Sequence, residues 1–369
     1  MNNIDFISLY HSYINKYYKN IKLHIIQQVD NLGKKNILHE YFDSPFLSNE
    51  LRIDLEEKIS RVNIFKYTYI VKLPQGYVSF HFISDKNLKS INNLKKYYFF
   101  VIFLQINSGK NYLYLDNVYI NIITLDVPKI YTNSICINDI NSASTIITFP
   151  KLGGQIYLWR TDELEKVLIH ETLHSILYDW DIINQKLNDD LLLIEKKIST
   201  NGKKLNINEA YTELCATFIM CLFELGKNLN KIESKKKLKI ILKRVLEHSL
   251  KTCGKLFSKY KIKDSSKCTN VDKLEGCSYH QSASAYSYII MKTALLWTLM
   301  KKCKLRDRKQ TDKIQCIEDF LSIGFTGVIG YSYQKIIIKI LKDKSFNREV
   351  TKRLKNKGKL GNMYFTIFN

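Results

Sequence analysis

The chain has 369 residues, of which 45% are hydrophobic and 25% are charged. This balance excludes an intrinsically disordered protein and is ordinary for a globular chain of one or two domains. The net charge is +22, with 49 Lys against 8 Arg. A solvated, Lys-rich surface accounts for that charge, and the shortage of Arg disfavours a nucleic-acid reader, although nucleic acid stays open as a partner.

Neither a signal peptide nor a membrane-spanning helix is indicated. The longest apolar run, Tyr97 to Leu104, is far short of the ~20 residues that cross a bilayer. We therefore expect a cytoplasmic protein with no membrane partner. The eight cysteines are scattered through a long chain and are expected to be reduced thiols. Cys268, Cys277 and His280 could be imagined as a second metal site, but their spacing matches no strong pattern.

The first 160 residues predict a helical segment followed by strands. Residues 1–60 carry apolar positions at helical spacing, as in Leu51, Leu55 and Ile59. The segments rich in β-branched and aromatic residues predict strands: KYTYIVK (66–72), YVSFHFI (77–83), YFFVIFLQI (98–106), NVYINIITL (117–125), STIITF (144–149) and GGQIYLWR (153–160). Leu73 to Gly76 predicts a hairpin turn between the first two.

From Asp162 onward the pattern becomes helical. One helix is predicted from Asp162, with Glu165 at capping distance, to Tyr178, and a second from Asn206 to Gly226. Further helices are predicted over 235–260, 282–303, 313–323 and 331–343, and SKKKLKIILKR (234–244) predicts a surface helix. The resulting division is an N-terminal helical segment (1–60), an α+β lobe (61–180) and a helical lobe (181–369).

The sequence HETLH (170–174) carries the chemistry. His170 and His174 are four residues apart on the predicted helix, so both imidazoles project from one face and can reach one metal ion. Zinc lowers the pKa of a bound water, and a carboxylate such as Glu171 can take its proton. The pattern therefore predicts a hydrolase with one Zn²⁺ per chain. The alternative is a helix with two hydrogen-bonded core histidines.

A catalytic zinc needs a third protein ligand, and the segment NEAYTE (208–213) can supply it. HETLH followed by NEAYTE resembles the motifs of gluzincins, the thermolysin-like branch of the zincin metallopeptidases. The resemblance covers only about residues 162–226. The Gly and His that metzincins require after the motif are replaced by Leu177 and Trp180.

This resemblance implies an α+β, zincin-like fold in which a mixed sheet and an active-site helix precede a mostly helical lobe. The implied zinc ligands are His170, His174 and Glu209, with Glu213 accepting a hydrogen bond from a ligand histidine and Glu171 as general base. An extended peptide substrate would lie along a strand edge, predicted at Gln155 to Arg160. His280 and Tyr286 are the predicted donors to the oxyanion.

The predicted function is thus a zinc metallopeptidase that acts on a peptide or protein. The alternative is a Lys-rich binding protein, for nucleic acid or an acidic partner, with a structural or vestigial zinc site. A metal-dependent hydrolase of another substrate also fits the ligand set. Substitution of Glu171 by Gln separates an enzyme from a binding protein, because only the enzyme needs the base.

Overall fold

The computed structural model describes residues 5–21, 24–30, 38–39, 42, 44, 47–73, 76–85, 92–108, 115–125, 140–148, 152–179, 182, 186–199, 205–226, 229–305, 317–318, 320–321 and 333–354. The chain forms two compact units. The sheet unit comprises Leu9–Pro128 and Asn141–Tyr178, and the helical unit comprises Met1–Ser8, Lys129–Ile140 and Asp179–Asn369. The division at residues 60 and 180 stays a prediction.

The sheet unit is built around six strands. Its elements in chain order are α1 (Phe6–Ser12, which begins in the other unit), β1 (His24–Asp30), α2 (Asn49–Arg61), β2 (Phe65–Leu73), β3 (Gly76–Ser84), α3 (Asn92–Asn107), β4 (Leu115–Ile123), β5 (Ala143–Thr148), β6 (Leu152–Leu158) and α4 (Leu164–Ser175). The strand order is β1-β2-β3-β4-β6-β5. β3, β4 and β6 are parallel neighbours, and the other pairs are antiparallel. The predicted α+β class is confirmed at this level, and the zincin-like fold stays a prediction.

Five of the six predicted strands are confirmed as β2 to β6. The prediction for 98–106 is wrong, because this stretch lies in helix α3. Residues from Tyr98 to Leu104 are all buried, and an apolar run without periodicity fits a buried helix as well as a strand. The sheet order decides between them: β3 and β4 are parallel, and parallel neighbours need a crossover connection, usually a helix.

Helices cover both faces of the sheet. On one face Tyr98 of α3 packs edge-to-face on Phe80 of β3, with ring centroids 5.8 Å apart, and α4 contacts β5 and β6. On the other face Leu51, Leu55 and Ile59 of α2 join a core cluster with side chains of the sheet. The predicted spacing of α2 is thus confirmed, but residues 1–60 also contain the strand β1, which the sequence did not predict. The turn predicted at Pro74 and Gln75 lies outside the described residues.

The described part of the helical unit contains these helices: α5 (Asp189–Ile198), α6 (Ile207–Phe223), α7 (Lys231–Lys259), α8 (Ser266–Thr269), α9 (Lys292–Leu305), α10 (Tyr333–Leu341) and α11 (Lys344–Arg353). A π turn, Ser287–Met291, leads into α9. α6 is buried along nearly its whole length and contacts α7 and α9, so it is the central helix of this unit. The helices predicted over 235–260, 282–303 and 331–343 are confirmed in type, and the one over 313–323 lies largely outside the described residues.

The structure corrects the prediction about the cysteines. Cys268 and Cys277 form a disulfide, so the prediction that all cysteines are reduced is wrong. Their sulfurs are then unavailable as metal ligands, which removes the second metal site imagined with His280.

No described helix combines the length and the apolar character needed to cross a membrane.

Candidate metal centre

Helix α4 carries the HETLH sequence and is buried over most of its length. The prediction that Asp162 caps it is wrong: Glu163 occupies the cap position, with φ 58°, and makes no capping hydrogen bond through its side chain. At the other end Leu177 has φ 53°. A left-handed conformation costs a non-glycine residue roughly 1–2 kcal/mol, and such strain is concentrated at functional sites. Two of the three described non-glycine residues with positive φ therefore bracket this helix.

The two histidines of α4 point at each other. The Nε2 atoms of His170 and His174 are 3.0 Å apart, and the rings meet edge to face with centroids 4.7 Å apart. Glu209 belongs to the same group, since one ligand atom of each of the three residues lies within 4.8 Å of the others. The predicted ligands are thus brought together.

This group fits a metal ion in both geometry and chemistry. Two nitrogens that each lie about 2.0–2.1 Å from a zinc ion at a tetrahedral angle are about 3.3 Å apart, close to the observed 3.0 Å. Two imidazoles and one carboxylate form a donor set that catalytic zinc sites use. His170 is 5% exposed, and His174 and Glu209 are partly buried, so the group lies at the edge of the buried interior. The group can bind a metal ion, and its donor set leaves the metal's identity open.

Glu171 is held by a residue that the sequence analysis did not select. The Thr145 hydroxyl of β5 lies 2.7 Å from Oε2 of Glu171 and 3.0 Å from its backbone carbonyl oxygen, and it can donate to either. Glu171 is 8% exposed, and an ionised carboxylate accepts such a bond well. Alternation along β5 places Thr145 on the same face as Ala143 and Ile147, but its pairing with Glu171 depends on how α4 lies on the sheet.

Helix α6 presents the NEAYTE segment at its start. Glu209 is in the first turn, and Glu213 lies one turn later on the same face. The Glu213 side chain is buried, at 2% exposure, and its predicted bond to a ligand histidine stays a prediction. Asn208 donates a hydrogen bond from Nδ2 to Oδ2 of the buried Asp179 at 3.0 Å, which fixes the start of α6 to the segment that follows α4.

The two predicted oxyanion donors have other surroundings. Tyr286 is fully buried, and its hydroxyl donates to the Cys268 carbonyl at 2.8 Å. Burial also raises its pKa well above the usual value. Its proton is thus used within the fold, which does not support a role in binding an oxyanion. His280 is exposed, and neither residue belongs to the metal-ligand group.

The predicted substrate edge is wrong. Strand β6, which contains Gln155, is paired on one side with β4 and on the other with β5. Both of its hydrogen-bonding edges are therefore used. The outer strand at this end of the sheet is β5, the strand that also carries Thr145.

Comparison with known protein families, with curated proteins and with solved structures finds no match for this chain. The functional argument therefore rests on the residues of this chain.

Proposed function

We propose that the protein is a zinc-dependent metallopeptidase, with His170, His174 and Glu209 as zinc ligands and Glu171 as general base. The observation that carries the proposal is the convergence of three metal-ligand side chains beside a carboxylate whose orientation is fixed by Thr145. A carboxylate next in sequence to a metal-binding histidine fits hydrolysis better than a purely structural metal site, which usually has four protein ligands.

The chemistry divides between the metal and the side chains. A zinc ion held by His170, His174 and Glu209 would supply Lewis acidity, which would lower the pKa of a water molecule and polarise a carbonyl. Glu171 accepts a proton from the attacking water and returns it to the nitrogen of the leaving amine as the carbon–nitrogen bond breaks. The Thr145 hydroxyl donates to Oε2 of Glu171 and so keeps the carboxylate in place during both proton transfers. The other lone pairs of the carboxylate stay available to accept the proton.

The substrate proposed for this site is an extended peptide. β5 has β6 as its only partner strand among the described residues, and a peptide can add to an outer strand through backbone hydrogen bonds. Binding there would bring the scissile bond toward Glu171, because β5 contacts this residue directly through Thr145.

Metal content of the purified protein tests the ligand set. We expect about one zinc per chain in the wild type, loss of zinc in Glu209→Ala, and weaker binding in Glu213→Ala because a residue that orients a ligand typically contributes 10–100-fold in affinity. Glu224→Ala is a matched control, since Glu224 follows the last residue of α6 and is exposed. A protein that takes up no zinc on titration would contradict the proposal.

Turnover of a peptide library separates an enzyme from a binding protein. Glu171→Gln should retain zinc and lose about 10²–10⁴-fold in turnover, the usual contribution of a general base. If the wild type binds zinc and cleaves no peptide, the metal is structural and the alternative of a Lys-rich binding protein is favoured.

A further inference from the structure

The first half of α7 exposes a strongly basic face. Six cations are exposed there: Lys231 pairs with Asp5 and Lys237 donates to the Leu225 carbonyl. The other four are Lys236, Lys239, Lys243 and Arg244. At 100° per residue these four side chains lie within an arc of about 140° on the helix surface. The sequence between Ser234 and Leu246 contains no acidic residue, and the two acidic residues of α7, Glu233 and Glu247, project from the same arc on either side of that stretch.

The two acidic residues of α7 have partners on this surface. Glu233 forms the capping box of the helix with Asn230. Glu247, nearer the C-terminal end, forms an ion pair with Arg353 of α11 at 2.5 Å. Four cations stand against these two carboxylates, one of which is paired with Arg353, so the arc keeps a net positive charge that attracts an anionic surface.

Two isoleucines lie on the same exposed arc. Ile232 is 68% exposed and Ile240 is 54% exposed. They are eight residues apart, about 12 Å along the helix axis, and they flank the Lys236 position. The inward face of α7 has its own apolar residues, including Leu238, Leu242 and Val245, all buried. The two exposed isoleucines are thus additional to the core.

We infer that this face docks on the surface of an anionic phospholipid bilayer. Lys and Arg gain electrostatic energy near anionic headgroups, and isoleucines between them can enter the boundary between headgroups and acyl chains. The phosphates of a nucleic acid would attract the cations but would leave both isoleucines in contact with water. The arc also contains one Arg among its four cations, whereas nucleic-acid recognition favours Arg.

This inference is independent of the proposed peptidase activity. The sequence predicts no membrane partner, because it shows no segment of the length and apolar character that spans a bilayer. Surface docking needs no spanning segment, since an amphipathic helix lies in the interface plane.

Co-sedimentation with vesicles tests the inference on the full chain. The probes are vesicles of phosphatidylcholine alone and vesicles containing about one-third phosphatidylserine, an anionic lipid. We expect binding to the anionic vesicles only, weakened by salt. Reversal of Lys236, Lys239, Lys243 and Arg244 to Glu should reduce the apparent affinity at least about tenfold, and Ile232→Ser with Ile240→Ser should reduce it several-fold.

A matched variant controls for net charge. Lys261, Lys263, Lys267 and Lys273 are also exposed in the helical unit, and reversing them to Glu changes the net charge equally. Three results overturn the inference: no binding to anionic vesicles, an equal loss in the control variant, or no effect of the isoleucine substitutions. Tighter binding to a single-stranded oligonucleotide than to anionic vesicles also overturns it and makes nucleic acid the partner. Thermal unfolding confirms that each variant folds, and the isoleucine pair tests the surface separately from charge.

Discussion

Two regions rich in polar side chains differ in how their polar atoms are arranged. In the metal-ligand group, His170, His174 and Glu209 bring ligand atoms within 4.8 Å of one another. In the disulfide segment, residues 266–287, polar atoms bind each other and the backbone. Tyr279 and the backbone amide of Tyr286 both donate to Oε1 of Gln281, at 2.8 and 2.7 Å. Two histidines and a carboxylate that converge in this way can hold a metal ion, whereas polar atoms that bond only to one another and to the backbone stabilise the fold.

The sequence suggests chemistry in both regions, because the first contains His and Glu and the second contains His and Tyr. The two regions differ in which atoms accept the hydrogen bonds of their hydroxyl groups. The Tyr286 hydroxyl donates to a backbone carbonyl, while Glu171 accepts from Thr145 at a site that adjoins the ligands. If the two regions differ in this way, changes at the metal-ligand group should alter metal binding or turnover, and changes in the disulfide segment should alter stability alone.

Removal of the metal should have the largest effect. A metal that binds only the folded state stabilises it by about 2.7 kcal/mol when its free concentration is 100 times the dissociation constant. A chelator should therefore lower the melting temperature of the wild type, measured by calorimetry, and should leave that of His170→Ala unchanged. An equal response of both proteins would show that the chelator acts elsewhere.

Substitution of Thr145 should affect turnover and leave metal binding intact. Thr145→Val removes the hydroxyl donor to Glu171 at nearly constant volume, and we expect about a tenfold loss in turnover, since misplacement of a catalytic group costs up to 10²-fold. Thr145→Ser should restore much of that loss because it keeps the donor. The pH profile of turnover should also shift in Thr145→Val and return in Thr145→Ser. Loss of zinc in Thr145→Val would indicate a structural role instead.

His81 is a half-buried histidine that lies outside both regions. Burial, and secondarily the charge of Lys66, lowers its pKa to about 4 from the model-peptide value of 6.5. The unfolded chain binds the proton more readily, so the stability that His81 contributes is complete above pH 6.5 and is lost as the pH falls toward about 4. Denaturant unfolding across this range should show a shallower decline in His81→Gln. The exposed His39 provides the control, and His39→Gln should keep the wild-type slope.

Tyr286→Phe should have the smallest effect on the candidate site. The change leaves the Cys268 carbonyl without its buried donor and should cost about 1–3 kcal/mol in the free energy of unfolding. Turnover and zinc content should stay at the wild-type level. If Tyr286 instead bound an oxyanion, the same change would lower turnover by about 10²–10³-fold, which kinetic measurement would reveal at once.

Part of the candidate site was predictable from local sequence. Residues four apart on a helix share a face, so HETLH alone placed His170 and His174 together. The resemblance of NEAYTE to the gluzincin motif implied Glu209 as the third ligand. Thr145 could not be selected in this way. Its contact with Glu171 joins positions 26 residues apart, and a threonine in a strand has no feature that marks it as a partner of a helix.

The same division holds for the fold. The sequence by itself determined the helical spacing of α2, the alternating strands β2 and β3, and the two helices that carry the ligands, because each depends on neighbours along the chain. Tertiary structure decided that 98–106 is the crossover helix α3, that β5 and not β6 is the outer strand, and that the Tyr286 hydroxyl is used internally. These outcomes depend on which segments pair across the sheet and which polar groups are buried together, and such long-range contacts leave no periodic trace in the sequence.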